Sequence, residues 1–163
     1  MNKEKVIKKA YKLIKSVTPV KSDCGKLCNG ECCKGDNTTG MLLFPGEEAL
    51  FKDNRDYKVI KDADGKSLLV CSGKCDRQTR PLSCRIFPLV PVLVDNRIYV
   101  LDDPRAKGMC PLIYDEVYLD KKFESRVYKT GKLLLKNNDT RSFLQILTQE
   151  ITDILSLQQN LFT

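Results

Sequence analysis

The chain has 163 residues, of which 42% are apolar and 30% charged, with a formal charge of +7. This composition is typical of a folded domain of ordinary size and excludes a globally disordered chain. The sequence has 8 cysteines but no histidine, which excludes Ser–His and Cys–His catalytic pairs and histidine-ligated metals. A chain of this length can bury a core without cysteine cross-links, so the cysteines need another explanation.

The positive charge is concentrated at the N-terminus, where residues 1–21 have a net charge of +6 and the remainder +1. Residues 3–17 predict an amphipathic helix that ends before Pro19, because apolar residues recur at helical spacing: Val6, Ala10, Leu13, Ile14 and Val17. We interpret the lysines as its solvated face, with a surface for nucleic acid or an anionic membrane as the alternative. The segment lacks the apolar stretch of a signal peptide, and no apolar run approaches the roughly 20 residues of a membrane span. We therefore expect a cytoplasmic protein with no membrane span.

The middle of the chain predicts short strands between two cysteine-rich loops, over 23–40 and 71–85. Between these loops, a short buried run covers 41–44 and a helical turn covers 47–52. Two strands are predicted over 57–61 and 67–71, joined by a turn at 62–65. A second strand pair covers 89–94 and 97–101, because Asp95 and Asn96 suit a two-residue hairpin loop.

The last third of the chain predicts two helices with core-facing apolar stripes. The first stripe comprises Phe123, Val127, Gly131, Leu134 and Leu135, and the second Phe143, Leu144, Leu147, Ile151, Ile154 and Leu155. Residues 137–139 separate them, with Asp139 or Thr140 as the expected N-cap. These elements predict an α+β fold: a small, irregular, cysteine-rich metal-binding domain with short antiparallel strands, flanked by N- and C-terminal helices. We expect a single domain over 1–163, with an N-terminal helix (1–20), a cysteine-cluster core (24–110) and C-terminal helices (115–163).

All eight cysteines are candidate metal ligands: Cys24, Cys28, Cys32, Cys33, Cys71, Cys75, Cys84 and Cys110. Spacings of two to four residues allow one loop to direct two sulfurs at one ion. Eight thiolates suit two four-thiolate zinc sites, two cubane iron–sulfur clusters, or one four-thiolate site with spare thiols. Soft thiolates select zinc or iron–sulfur over hard cations.

Two other roles are alternatives to metal binding for these cysteines. Buried thiols can pack as small apolar groups, but the first four cysteines lie in a polar loop. Four disulfides suit an exported protein, and no export signal is visible. The adjacent pair Cys32 and Cys33 is awkward for one small tetrahedral ion, so it would serve two neighbouring sites or leave one thiol spare.

The cysteine segments resemble a known family. CGKLCNGECC, the acidic pair Glu47–Glu48, CSGKC and RPLSCRIFP are similar to the CxxCxxCC, or YkgJ-like, cysteine-cluster proteins of bacteria and archaea, which are described as zinc- or iron-chelating. The resemblance covers about 24–110 and implies that all eight cysteines belong to the shared set. It also implies that a second motif surrounds Cys84, and it favours a 4Fe–4S cluster over zinc. The residues of this motif are Arg80, Pro81, Arg85, Phe87 and Pro88.

Charged residues near the cysteines have two interpretations. Arg80 and Arg85 are candidates to donate hydrogen bonds to metal-bound thiolates, with a surface ion pair to an acid such as Asp76 as the alternative. Further cations lie close in sequence to other cysteines, at Lys26, Lys34, Lys74 and Arg77. We interpret the acidic pairs at 47–48 and 102–103 as solvated surface. Neither a G-x4-G-K-[ST] nor a G-x-G-x-x-G motif is present in the sequence.

Three functional hypotheses follow. The first is a metal-binding protein that holds an iron–sulfur cluster or zinc through cysteine thiolates for a structural, redox or metal-handling role. The second is a cluster- or zinc-dependent enzyme or enzyme subunit, and the sequence leaves open whether the protein is an enzyme. The third is a nucleic-acid-binding zinc protein, but the N-terminal helix offers only Tyr11 as an aromatic, so nucleic acid is not the expected partner. A protein partner remains open.

Overall fold

The computed structural model describes residues 1–34, 40–55, 57–73 and 76–160. Helices at both ends of the chain pack around short antiparallel strands, which confirms the predicted α+β class and its flanking helices. The helices are α1 (Lys3–Ile14), α2 (Glu48–Phe51), α3 (Leu82–Ile86), α4 (Pro111–Tyr114), α5 (Lys121–Leu134) and α6 (Asn138–Asn160). The strands are β1 (Gly40–Leu42), β2 (Tyr57–Lys61), β3 (Ser67–Cys71), β4 (Leu89–Val94) and β5 (Arg97–Asp102).

The main core lies between the terminal helices and the β4–β5 hairpin. α1 packs on α5, and both α5 and α6 pack on β4. The predicted stripes face this core apart from Ile154, which does not belong to it, and α1 adds Ile7 to its buried face. α5 approaches the hairpin closely at Gly131, where a Cβ atom would lie 2.8 Å from Ile98 Cγ2 and 2.9 Å from Pro91 Cβ. Only glycine fits this contact without displacing the hairpin.

The β4–β5 hairpin forms as the sequence predicts. The strands pair antiparallel from Leu89 opposite Asp102 to Val94 opposite Arg97. Asp95 and Asn96 form the loop with φ angles of 48° and 59°. Both values lie in the left-handed region that a tight two-residue hairpin requires and that these residue types tolerate.

A second sheet supports the cysteine loops. Its strand order is β1-β3-β2, with β3 antiparallel to both neighbours, and β2 and β3 occupy the predicted ranges. A small core beneath it contains Leu43, Phe51 and Leu69. β3 ends at Cys71, so this sheet places one of the candidate ligands directly.

The structure differs from the sequence predictions in several short segments. α1 ends at Ile14 rather than at residue 17, and α4 forms at Pro111–Tyr114, where no helix was predicted. The 71–85 segment was predicted as a loop, but α3 begins within it at Leu82. Five residues are too few to show a helical period, so the sequence did not predict this helix. Residues 23–34 contain the single 3₁₀ turns Cys24–Lys26 and Glu31–Cys33. The N-cap prediction for α6 is wrong: Asn137 Oδ1 accepts from the backbone N–H groups of Asp139 and Thr140, at 3.0 and 3.2 Å.

None of the helices in the described part of the chain combines the length and apolarity needed to cross a bilayer.

Candidate metal centre

Four cysteines line one cavity of about 330 Å³. Cys32 and Cys33 enter it from the 3₁₀ turn Glu31–Cys33, Cys71 from the end of β3, and Cys84 from α3. These segments lie far apart in sequence, so the fold brings the sulfurs to one place.

The other described cysteines lie beside this cavity. Cys24 and Cys110 belong to one small apolar cluster that also contacts Phe87, and Phe87 lines the cavity as well. Cys28 Sγ lies 3.7 Å from the carbonyl oxygen of Cys24. Burial raises the pKa of Cys110, and nearby Cys24 and Cys28 raise it further. We call the seven residues the cysteine cluster: Cys24, Cys28, Cys32, Cys33, Cys71, Cys84 and Cys110.

The cysteine cluster contains no disulfide between any two of its seven members. Within the ranges that the structure describes, no group of three or more cysteine, aspartate or glutamate side chains has the arrangement of a formed metal site. The eighth candidate ligand, Cys75, and the neighbouring Lys74 lie outside the described residues. The described thiols of the cysteine cluster are therefore grouped in space but do not form a complete coordination shell.

The adjacent pair Cys32 and Cys33 has a separation that bears on its use as a ligand pair. The two Sγ atoms lie 3.9 Å apart. Two thiolates on one tetrahedral zinc ion lie about 3.8 Å apart, given a Zn–S bond of about 2.3 Å. A hydrogen bond from Cys33 lowers the pKa of Cys32, which favours the thiolate form needed for metal binding. The pair therefore fits one ion at this distance, as well as two neighbouring sites.

Positive charge lies close to Cys24. Burial raises the pKa of its thiol, while the guanidinium of Arg77 lowers it and that of Arg80 lowers it to a lesser extent. Arg77 also donates a hydrogen bond of 3.0 Å to the carbonyl oxygen of Val17, which anchors its side chain near the end of the N-terminal segment. Both arginines are thus placed to offset thiolate charge at Cys24.

Arg85 is buried, so the surface ion pair considered for it is wrong. Its guanidinium donates to the carbonyl oxygens of Arg80 and Gln78, at 2.7 and 2.5 Å, and lies 4.5 Å from the centre of the Tyr11 ring. These contacts tie the 76–80 segment to α3. Arg85 therefore holds the backbone around Cys84.

Glu47 is fully buried, so its interpretation as solvated surface is wrong. Its carboxylate accepts hydrogen bonds from Tyr11 Oη at 2.5 Å, from the backbone N–H of Phe44 at 2.6 Å, and from that of Leu82 at 2.7 Å. Burial raises the pKa of Glu47 to about 7, against the lowering effect of these donors. Because Leu82 begins α3, Glu47 links α1 to the helix that carries Cys84.

Asp103 is also buried, contrary to the expectation for the second acidic pair, whereas Asp102 is exposed. Arg105 donates two hydrogen bonds to the Asp103 carboxylate, at 2.8 and 2.6 Å, and both residues line the cavity. The paired charge makes burial of Asp103 tolerable. The roles of Glu47, Tyr11 and Asp103 were missed because their contacts leave no periodic signal in the sequence.

The chain was compared with models of known protein families, with curated proteins and with solved structures, and none of these comparisons found a match.

Proposed function

We propose that the protein binds an iron–sulfur cluster or zinc through its cysteine thiolates, as a member of the CxxCxxCC-like proteins that its motifs resemble. The observation that supports this proposal is the cysteine cluster. Its members come from separate segments of the chain, meet at and beside one cavity, and contain no disulfide between any two of them. Apolar packing does not explain the grouping, because most of these cysteines are partly or fully exposed.

The donor set decides which metals fit. Thiolate sulfur is the ligand that zinc and iron–sulfur clusters share, and it disfavours magnesium or calcium. Cys32, Cys33, Cys71 and Cys84 would hold one site at the cavity, and Cys24, Cys28 and Cys110 offer three more thiols beside it. A bound cluster would supply one-electron redox chemistry, whereas zinc would supply structural stability.

The surrounding residues support metal retention. Arg77 and Arg80 offset negative charge at Cys24, and Glu47 and Arg85 hold the backbone of α3 around Cys84. Such support from outside the ligand set positions thiolates before the metal binds. Because free thiols persist in a reducing compartment, we propose the cytoplasm as the location.

A cluster- or zinc-dependent enzyme is the second candidate, and the size of the cavity favours it. About 330 Å³ falls at the lower end of the range for small-molecule sites and exceeds the needs of a single ion. The cavity wall also includes Met41, Met109 and Tyr57, which add apolar and aromatic surface beside the sulfurs. An enzyme would leave one metal position open for substrate.

The test is anaerobic purification followed by metal and sulfide analysis and a visible spectrum. A 4Fe–4S cluster predicts about four iron and four sulfide per site with broad visible absorption, whereas zinc predicts a colourless, metal-loaded protein. Cys84→Ser should lose metal, whereas the control Ser72→Ala, an exposed neighbour of Cys71, should retain it. Metal-free wild-type protein from anaerobic preparation, or full loading of Cys84→Ser, would contradict the proposal.

A further inference from the structure

A basic surface lies along the seam between α1 and α5. The two helices run antiparallel, because the Met1 amino group donates to Lys136 O at 3.1 Å and the Asp120 N–H donates to Pro19 O at 2.8 Å. A groove of about 580 Å³ follows this seam, floored by Leu13 and Leu133. Five lysines line it, and we call this feature the basic groove: Lys9, Lys12, Lys129, Lys132 and Lys136.

The charge of the basic groove is not neutralised within the described part of the chain. None of the five lysines forms an ion pair with a described acidic side chain, and no acidic residue lines the groove. Glu4 and Glu124 lie about two helical turns N-terminal to Lys12 and Lys132 along α1 and α5, and neither glutamate lines the groove. Like charges held side by side repel one another, so this arrangement favours a bound polyanion.

Exposed aromatic side chains accompany the lysines. Tyr118 is 98% exposed and lies with Lys21, Lys121 and Lys122 in a second recess at the other end of the seam. Asp120, the acidic residue in this recess, caps α5 through the N–H groups of Lys122 and Phe123.

A second tyrosine lies beside Lys132 of the basic groove. Tyr128 is 41% exposed, and its ring centre lies 5.7 Å from Lys132 Nζ. Tyr11, the one aromatic that the sequence offered in α1, is partly buried and donates its hydroxyl to the buried Glu47. Two exposed aromatic side chains, Tyr118 and Tyr128, therefore accompany the lysines of this face.

We propose that the α1–α5 face binds single-stranded nucleic acid. The lysines from Lys122 to Lys132 cover ten residue steps of α5, or roughly 15 Å at about 1.5 Å per residue, which makes a linear track for a phosphate backbone. Exposed tyrosines stack on unpaired bases, which a duplex does not offer. A membrane or an acidic amphipathic helix would instead need a broad exposed apolar surface, and Leu133 is only 9% exposed.

The direct test measures binding of the full chain, purified anaerobically, to fluorescent oligonucleotides of about 20 nucleotides by polarisation. If all five groove lysines contact phosphates, the logarithm of the association constant should fall against the logarithm of salt with a slope of about −3.5. Raising the salt from about 50 to about 200 mM should then weaken binding about 100-fold. Duplex of the same sequence should bind more weakly than the single strand.

Matched variants locate the site. Lys9→Glu with Lys132→Glu should weaken binding at least about tenfold and flatten the salt slope by about 1.4. The control Lys52→Glu with Lys58→Glu changes the net charge equally at exposed positions outside the groove and should bind like the wild type, apart from a small uniform shift. Tyr118→Ala should weaken binding about tenfold or more without changing the salt slope, because stacking contributes roughly 1–3 kcal/mol per base.

Several outcomes would overturn this inference. They are no binding at about 50 mM salt, equal loss in the groove and control variants, or tighter binding to anionic phosphatidylglycerol vesicles or polyglutamate than to the oligonucleotide. Metal content, measured on every variant, keeps this test separate from that of the proposed function. Loss of binding with full metal content would assign the defect to the α1–α5 face alone.

Discussion

Replacing Glu47 with glutamine tests whether a buried, titrating carboxylate stabilises the helix that carries Cys84. The carboxylate accepts from three donors, Tyr11 Oη and the backbone N–H groups of Phe44 and Leu82. Glutamine has one acceptor oxygen, so its amide group must face at least one buried N–H. An unsatisfied buried donor costs roughly 1–3 kcal/mol, so Glu47→Gln should be destabilised by about that amount near pH 5.5.

The effect of Glu47→Gln should depend on pH. Burial raises the pKa of Glu47 from 4.5 to about 7, so the folded state binds the proton more tightly than the unfolded state. The contribution of Glu47 to the free energy of unfolding is therefore greatest below its unfolded-state pKa. It falls as the pH rises towards the folded-state pKa of about 7 and levels off above that value. At about 1.4 kcal/mol per pKa unit, the wild type should lose about 2 kcal/mol from this group between about pH 5.5 and pH 8. Glutamine does not titrate, so the stability gap between the two proteins should narrow by that amount.

The assay is urea unfolding followed by circular dichroism at several pH values, on wild-type and variant protein with equal metal content. Contributions from metal and from other titrating groups then cancel in the difference between the two proteins. Glu124→Gln, an exposed change of the same type in the first turn of α5, serves as the control and should be destabilised by no more than about 1 kcal/mol, the usual size of a helix-dipole contribution. A gap that stays constant from about pH 5.5 to pH 8 would refute the assignment of a raised pKa to Glu47.

Three further predictions concern the cysteines and the core. Cys84→Ser should release metal and expose residues 24–110 to protease. Most of the helical circular-dichroism signal should remain, because α6 has its own buried stripe. Unchanged hydrogen-exchange protection in 24–110 after metal removal would show that the fold there does not depend on metal. Thiol counting on denatured, chelator-treated protein from a reducing cytosol should find close to 8 thiols, and a count near zero would support disulfides. Gly131→Ala should destabilise the protein by about 1–3 kcal/mol, despite the higher helix propensity of alanine, because the added Cβ meets Ile98 and Pro91. Ser125→Ala on the exposed face of α5 is the control. Equal stability of the two variants would contradict the close packing at Gly131.

Local patterns were sufficient to predict most of the secondary structure. The ranges of β2 and β3 agree with the prediction, and β5 extends one residue further. The hairpin loop at Asp95 and Asn96 also forms as predicted, because turn geometry depends on the residues within it. α3 was missed because a five-residue helix contains hardly more than one turn, and its position depends on Glu47, 35 residues away from Leu82.

The candidate site, too, was predicted from the sequence only in part. The residue types and spacings of the cysteines were enough to nominate thiolate ligands, because soft-metal chemistry requires sulfur donors whatever the fold. The spacing did not reveal that Cys32, Cys33, Cys71 and Cys84 share a cavity while Cys24 and Cys110 pack beside it. Grouping of this kind depends on the mutual placement of β3, α3 and the 3₁₀ turns.

Only the tertiary structure determined which charged side chains are buried and which of them lie side by side. A glutamate in a polar stretch resembles any surface acid until α1 and α3 supply donors to it from both sides, as they do for Glu47. Lysines on two helices that are more than a hundred residues apart look like two solvated faces until α1 packs against α5 and places them across one groove. Periodicity along the chain records which side of an element is apolar, whereas electrostatic and ligand geometry depends on distances between elements, which folding alone establishes.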